Sequence, residues 1–212
     1  MTTTKKDKGS TVQITPPNMQ VALFHIEGTA PYVMEPFTAK AKQAMRDKQT
    51  LGSQAQKKRG KKARDFDEDY EQAFHRSEEG WIGVPASAFR AAMISACRLV
   101  GFKMTLAKLS VFVIADGIDV SEGKPLVRIQ GEPERTEMVT RNATGVADIR
   151  VRPMWRSWRI DLKVKFDADQ FTVQDITNLL MRVGEQVGIG AGRPDSKSSA
   201  GLGWGTFRII NK

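Results

Sequence analysis

Residues 188–205 read Gly-Ile-Gly-Ala-Gly-Arg-Pro-Asp-Ser-Lys-Ser-Ser-Ala-Gly-Leu-Gly-Trp-Gly, and no other stretch of the 212-residue chain restricts its fold as much. Glycines at this density let the backbone take positive φ and approach a ligand closely, with free N–H groups turned toward phosphate oxygens. A dinucleotide fingerprint or a P-loop needs a strand, then the glycine turn, then a helix that receives the phosphate. Here the helical pattern comes first and a short strand follows, which excludes the NAD and NTP readings. A flexible surface loop that caps the preceding helix is the alternative at this point.

The flanks of the loop carry strong periodicity. Residues 158–166 alternate apolar and charged side chains, as a strand with one face on a core does, with Arg159, Lys163 and Lys165 outward. Thr172 and Asp175 open a helix in capping-box style over 172–187, and 206–210 reads as the closing strand. Earlier in the chain, a strand is expected over 21–26 with His25 as a core or sheet-face residue. A helix is expected over 87–100, ended by Gly101, and strands over 109–114 and 125–130. Arg90 falls in the first turn of that helix, where a cation is unfavourable unless a phosphate or an acidic neighbour offsets it. Together the main elements spell β-α-β twice, an α+β, ferredoxin-like arrangement with an antiparallel sheet and two helices on one face.

Between these elements lie three polar segments. Residues 1–20 form a flexible arm. Residues 38–79 form a charged insertion in a single domain over 21–212, with Lys57, Lys58, Arg59, Lys61 and Lys62 as a clamp for a polyanion or as half of a solvated helix pair. Its acidic part, Asp65, Asp67, Asp69 and Glu71, lacks the calcium-loop pattern. Residues 137–152 read as a hairpin made cationic by Arg141, Arg150 and Arg152. Asp116, Asp119 and Glu122 are expected as turn residues.

Charge and composition narrow the function. Lys and Arg number 33 against 24 acidic residues, a formal charge of +9, which favours polyanionic partners. No apolar run is long enough to span a bilayer, so a soluble, cytoplasmic protein without a membrane partner is expected. Cys97 is the single cysteine and there are two histidines. No disulfide framework, cysteine zinc site or His-dependent triad is therefore expected, and no cofactor or metal.

Two segments resemble a known family. Trp81-Ile-Gly-Val-Pro-Ala-Ser-Ala-Phe-Arg-Ala-Ala is similar to the "I-P-x-S-S-L-K-G" opening of the first helix in the RAMP superfamily, whose members form the backbone of CRISPR effector complexes. The loop from Gly188 through Phe207 resembles that superfamily's "G-G-x-x-S-x-G-x-G-x-F", and the hairpin falls where backbone subunits carry a thumb. The resemblance implies that Ser87 and Arg90 touch a sugar-phosphate backbone from the helix. Gly190, Gly192, Arg193, Lys197 and Ser198 would do so from the loop, and Arg141 and Arg150 from the thumb. It implies sequence-independent binding of single-stranded RNA or DNA by a homo-oligomer that grows along the strand, alone or with other effector-complex subunits.

The aspartate of the RNA-cleaving relatives is missing from the loop after the first strand, which offers only Glu27 and Glu35. A non-catalytic subunit is the leading expectation. The alternatives are a metal-dependent endoribonuclease of the same fold, a stand-alone relative that coats single-stranded DNA, and an accessory protein that docks an acidic partner.

Overall fold

The computed structural model describes residues 14–35, 46, 49, 65–141, 147–196 and 200–211. Its centre is the pairing of β1 (Met19–Gly28) with β9 (Arg159–Asp167), antiparallel from Met19 opposite Asp167 to Glu27 opposite Arg159. The expected alternation holds in β9, where Ile160, Leu162, Val164 and Phe166 are fully buried and Arg159, Lys163 and Lys165 face outward. β10 (Phe207–Ile210) pairs with the other edge of β1, and β4 (Val111–Ile114) with the other edge of β9. The main sheet therefore runs β10-β1-β9-β4 with every pair antiparallel.

The helix α2 (Ala86–Ala96) contributes Phe89, Met93 and Ala96 to the core, and α4 (Val173–Arg182) contributes Ile176, Leu179 and Leu180. Burying the large ones, all but Ala96, contributes about 1.5–3 kcal/mol each and is the main force holding helices to sheet. Thr172 and Asp175 form the expected capping box, with Thr172 Oγ1 accepting from Asp175 N at 3.1 Å and Asp175 Oδ2 accepting from Thr172 N at 2.9 Å. Beyond Arg182 the helix widens into a π turn over Val183–Val187, closed by Gly188 N donating to Val183 O at 2.7 Å.

Two smaller antiparallel sheets complete the body. β2 (Tyr32–Val33) pairs with β8 (Ala147–Trp155), which pairs with β7 (Glu134–Arg141), so the hairpin expected over 137–152 is longer than the sequence indicates. β3 (Gly83–Pro85) pairs with β6 (Pro125–Arg128), and β6 with β5 (Gly117–Ile118).

Two expectations need correction. The strand placed at 109–114 begins only at Val111, because a short helix, α3 (Met104–Ser110), precedes it and leaves Leu109 75 % exposed. The charged insertion placed over 38–79 ends by Asp65. From there the chain folds as α1 (Phe66–Glu71), capped by Asp65 Oδ1 accepting from the N–H groups of Asp67 and Glu68, and then buries Ala73, His75 and Ser77.

Candidate nucleic-acid interface

The glycine loop packs against the start of α2, and a cleft of about 310 Å³ opens between them. Pro85 and Ala88 line it from the helix, Gly190, Ala191 and Arg193 from the loop. Tyr32, Met34, Glu35 and His75 complete its lining. α2 begins without a side-chain cap and carries no acidic residue in its first turn. Its first N–H groups lack intrahelical acceptors and concentrate partial positive charge at the cleft, which suits an anion. Ser87 is exposed in that turn. Burial pushes the Tyr32 hydroxyl far above its usual range, so it stays neutral.

The loop is less open than its sequence suggests. Ile189 N donates to Gly205 O, Ala191 N to Val33 O, Asp195 N to Val187 O, Leu202 N and Trp204 N to Gly192 O, and Gly205 N to Pro31 O. A loop pressed against a core must satisfy its own backbone groups, and this one spends on itself many of the N–H groups expected to be free for phosphate. Gly190 and Gly192 serve the same closure. A Cβ on Gly190 would lie 2.5 Å from the Tyr32 ring, and one on Gly192 2.7 Å from the Trp204 ring.

An ionic latch fixes the loop to α2. Arg98 Nη2, in the 3₁₀ turn Cys97–Val100 that extends the helix, donates to both carboxylate oxygens of Asp195 at 2.9 and 2.8 Å, and the Ser95 hydroxyl donates to Oδ2. The Ser95 hydrogen bond, followed by the Arg98 guanidinium, holds the Asp195 carboxyl below the ordinary aspartate range. Arg193 lines the cleft and donates one bond back to Gly190 O at 3.1 Å, leaving further donors of its guanidinium.

The remaining expected residues fall elsewhere. Arg90 is engaged by backbone carbonyls and an aromatic ring among the described residues. Its guanidinium donates to Val111 O at 3.0 Å and to Lys108 O, and lies 5.0 Å over the Phe112 ring. Carbonyls left open where α3 gives way to β4 satisfy this cation, so it joins two elements.

Arg150 is paired with Glu35 at 3.0 Å and with Asp148 at 3.2 Å, while Arg152 also reaches Glu35. Arg135 on the same hairpin meets Asp67 of α1. The expected cationic hairpin is thus largely neutralised by its own neighbours. Glu27 lies on the open sheet face, where Arg208 first and Arg159 second bind its carboxylate and lower its pKa. The Arg141 side chain and Lys57, Lys58, Arg59, Lys61, Lys62, Lys197 and Ser198 lie outside the described residues.

The charge divides unevenly along the chain. Of the 33 basic and 24 acidic residues, 14 and 2 fall outside the described segments, so the described ones carry 19 basic and 22 acidic side chains, a formal charge of −3. The excess positive charge therefore sits mainly in 1–13 and 36–64.

Several contacts have no local signal in the sequence. The partners of the latch are 97 residues apart, Glu35 and Arg152 117, and the buried pair His75 and Asp119 44. No protein-family model matches the chain, and no curated protein is similar enough to stand as a relative.

Proposed function

We propose that this chain is a RAMP-like, ferredoxin-like subunit that binds the sugar-phosphate backbone of single-stranded nucleic acid without cleaving it and assembles repetitively along the strand in the cytoplasm. The observation that carries the reading is the cleft, where an uncapped helix start and the Arg193 guanidinium meet beside the glycine loop, with Ser87 exposed in the same helical turn as the lining residue Ala88. The strand order supports the fold part of it. In chain order the four strands of the main sheet lie fourth, first, third, second, the order of a ferredoxin-like sheet. The non-catalytic part is supported by the engagement with arginines of Glu27, near the end of the first strand, and of Glu35 beyond it.

Contacts of this kind read backbone charge and shape, so affinity is independent of sequence and falls with salt, by about 0.7 in log K per log salt for each phosphate neutralised. The test is a titration of labelled single-stranded RNA and DNA over a salt series, with particle size followed by light scattering. Wild type is expected to bind both mixed and homopolymeric strands and to form particles that lengthen with the strand. Ser87→Glu with Arg193→Glu is expected to weaken binding by about 10-fold or more, since each change sets a negative charge against a phosphate. Unchanged affinity in this variant would overturn the site. Absence of binding at low salt would overturn the function and turn attention to acidic proteins.

A further inference from the structure

We propose that His75, Asp119 and Glu122, with the Ser77 hydroxyl beside them, form a binding site for a divalent transition-metal ion, Zn²⁺ by preference. The inference is independent of nucleic-acid binding, although His75 also lines the cleft.

The backbone brings these residues together from two segments. Ser77 and Asp119 face each other in an antiparallel bridge, and directly opposed residues project their side chains to the same side. His75, two residues before Ser77 in extended chain, shares that side. The turn after Asp119 closes with Gly123 N donating to Asp119 O at 2.8 Å, and it returns Glu122 to the group. One ligand atom from each of His75, Asp119 and Glu122 lies within 4.8 Å of the others. Asp119 is held rigidly, with Oδ1 accepting from Ser121 N at 2.8 Å and Ser121 Oγ at 2.9 Å, and Oδ2 2.5 Å from His75 Nδ1. The hydroxyl of Ser77, the residue bridged to Asp119, is buried without a hydrogen-bond partner among the described residues, on a residue 3 % exposed.

Burial makes the grouping unusual. The side chains of His75 and Asp119 are 6 % and 1 % exposed, and that of Glu122 is 11 % exposed. Two carboxylates so close and so poorly hydrated need compensating positive charge. Among the described residues the His75 imidazole stands against Asp119 and the Lys124 ammonium against Glu122. Lys124 is 46 % exposed on a flexible stem, so it can swing to solvent and yield its place to an ion.

A divalent ion then balances both carboxylates, with an imidazole nitrogen as a further ligand and the Ser77 hydroxyl, directly or through water, completing the set. One nitrogen and two carboxylate oxygens suit Zn²⁺, which accepts such donors at about 2.0–2.2 Å. Ca²⁺ needs six to eight oxygens and Mg²⁺ keeps most of its waters, so both fit poorly. Among first-row ions the general affinity order places Zn²⁺ above Mn²⁺.

The test is calorimetric titration of chelator-treated, dialysed full-length protein with ZnCl₂, with MgCl₂ and CaCl₂ as comparators. The expected result is one Zn²⁺ per chain at a Kd of about 1 µM or tighter that a large excess of Mg²⁺ or Ca²⁺ does not displace, and a thermal midpoint raised by several degrees at saturation. His75→Gln and Glu122→Gln should each weaken binding at least about 10-fold. His25→Gln, which removes the other histidine, should leave it unchanged. If the His75 or Glu122 variants fail to fold, histidine ring resonances of the wild type decide, because Zn²⁺ must shift those of His75 and spare those of His25. Absence of stoichiometric uptake, equal affinity in both site variants, or a shift at His25 alone would overturn the proposal.

Discussion

Alanine at Gly203 and at Gly205 separates a simple backbone preference from a loop that is closed on itself. Both glycines have positive φ, 74° and 68°. A Cβ on Gly203 meets nothing within 4 Å, whereas one on Gly205 would lie 1.8 Å from Ile189 O and 2.8 Å from Ile189 C. Alanine in the left-handed region costs about 1–2 kcal/mol. That is the whole expected effect at Gly203. At Gly205 the opposing backbone must also move, at the expense of the bonds from Ile189 N to Gly205 O at 3.0 Å and from Gly205 N to Pro31 O at 2.8 Å. Each is worth about 1 kcal/mol net, and more if a buried group is left unpaired, so Gly205→Ala should cost about 3–4 kcal/mol. Urea unfolding followed by the fluorescence of the buried Trp155 and Trp158 measures both. With a slope of about 2–3 kcal/mol/M, the midpoint should fall by about 0.5 M for Gly203→Ala and by more than about 1 M for Gly205→Ala. Equal shifts at the two positions would refute the closed loop and with it the shape of the cleft.

Arg90→Ala should lower stability by about 1–2 kcal/mol through the lost bonds to Lys108 and Val111, while leaving the salt dependence of nucleic-acid binding unchanged; a shallower slope in that titration would return Arg90 to the interface. Asp195→Asn should destabilise the protein at neutral pH. Because the Asp195 carboxyl is held below its ordinary value in the folded state, its contribution is present above about pH 3.9 and is lost as pH falls through the lower folded value. Urea midpoints of wild type and variant should therefore converge in acid, and a constant gap would remove the latch. Asp175→Ala, which breaks the capping box of α4, should cost about 1 kcal/mol in the same assay.

The parts of the fold that were legible in the sequence are those set by short-range periodicity. The alternation in β9 and the Thr172–Asp175 box carry their own pattern, because neighbours along the chain decide which side chain is buried and which N–H is capped. Leu109 shows where this fails. Its surroundings read as a strand, yet the chain makes a further helical turn there, and the Arg90 guanidinium from another helix satisfies the carbonyls at its end. Ion pairs across the fold are hidden in the same way. Arg150 and Arg152 look like free cations in a hairpin, and only the fold brings Glu35 to them. The glycine loop was legible as a constrained segment, while the destination of its N–H groups was not.

The separation of charge from cleft leads to the most decisive measurement on the proposed function. The described residues carry a formal charge of −3, so the cleft can orient a strand without supplying most of the long-range attraction. Lys57, Lys58, Arg59, Lys61 and Lys62 supply five positive charges within six residues. If each meets a phosphate, replacing all five by glutamine lowers the salt slope by about 3.5, against about 0.7 for Arg193→Ala. The expected outcome is a loss of at least 2 in slope for the five-residue variant, with residual binding that remains sensitive to Arg193. A slope unchanged by the loss of five cations would mean that the strand never approaches this block. The attraction would then have to come from the cations of 1–13 and the rest of 36–64, and the clamp assigned to Lys57, Lys58, Arg59, Lys61 and Lys62 would fall.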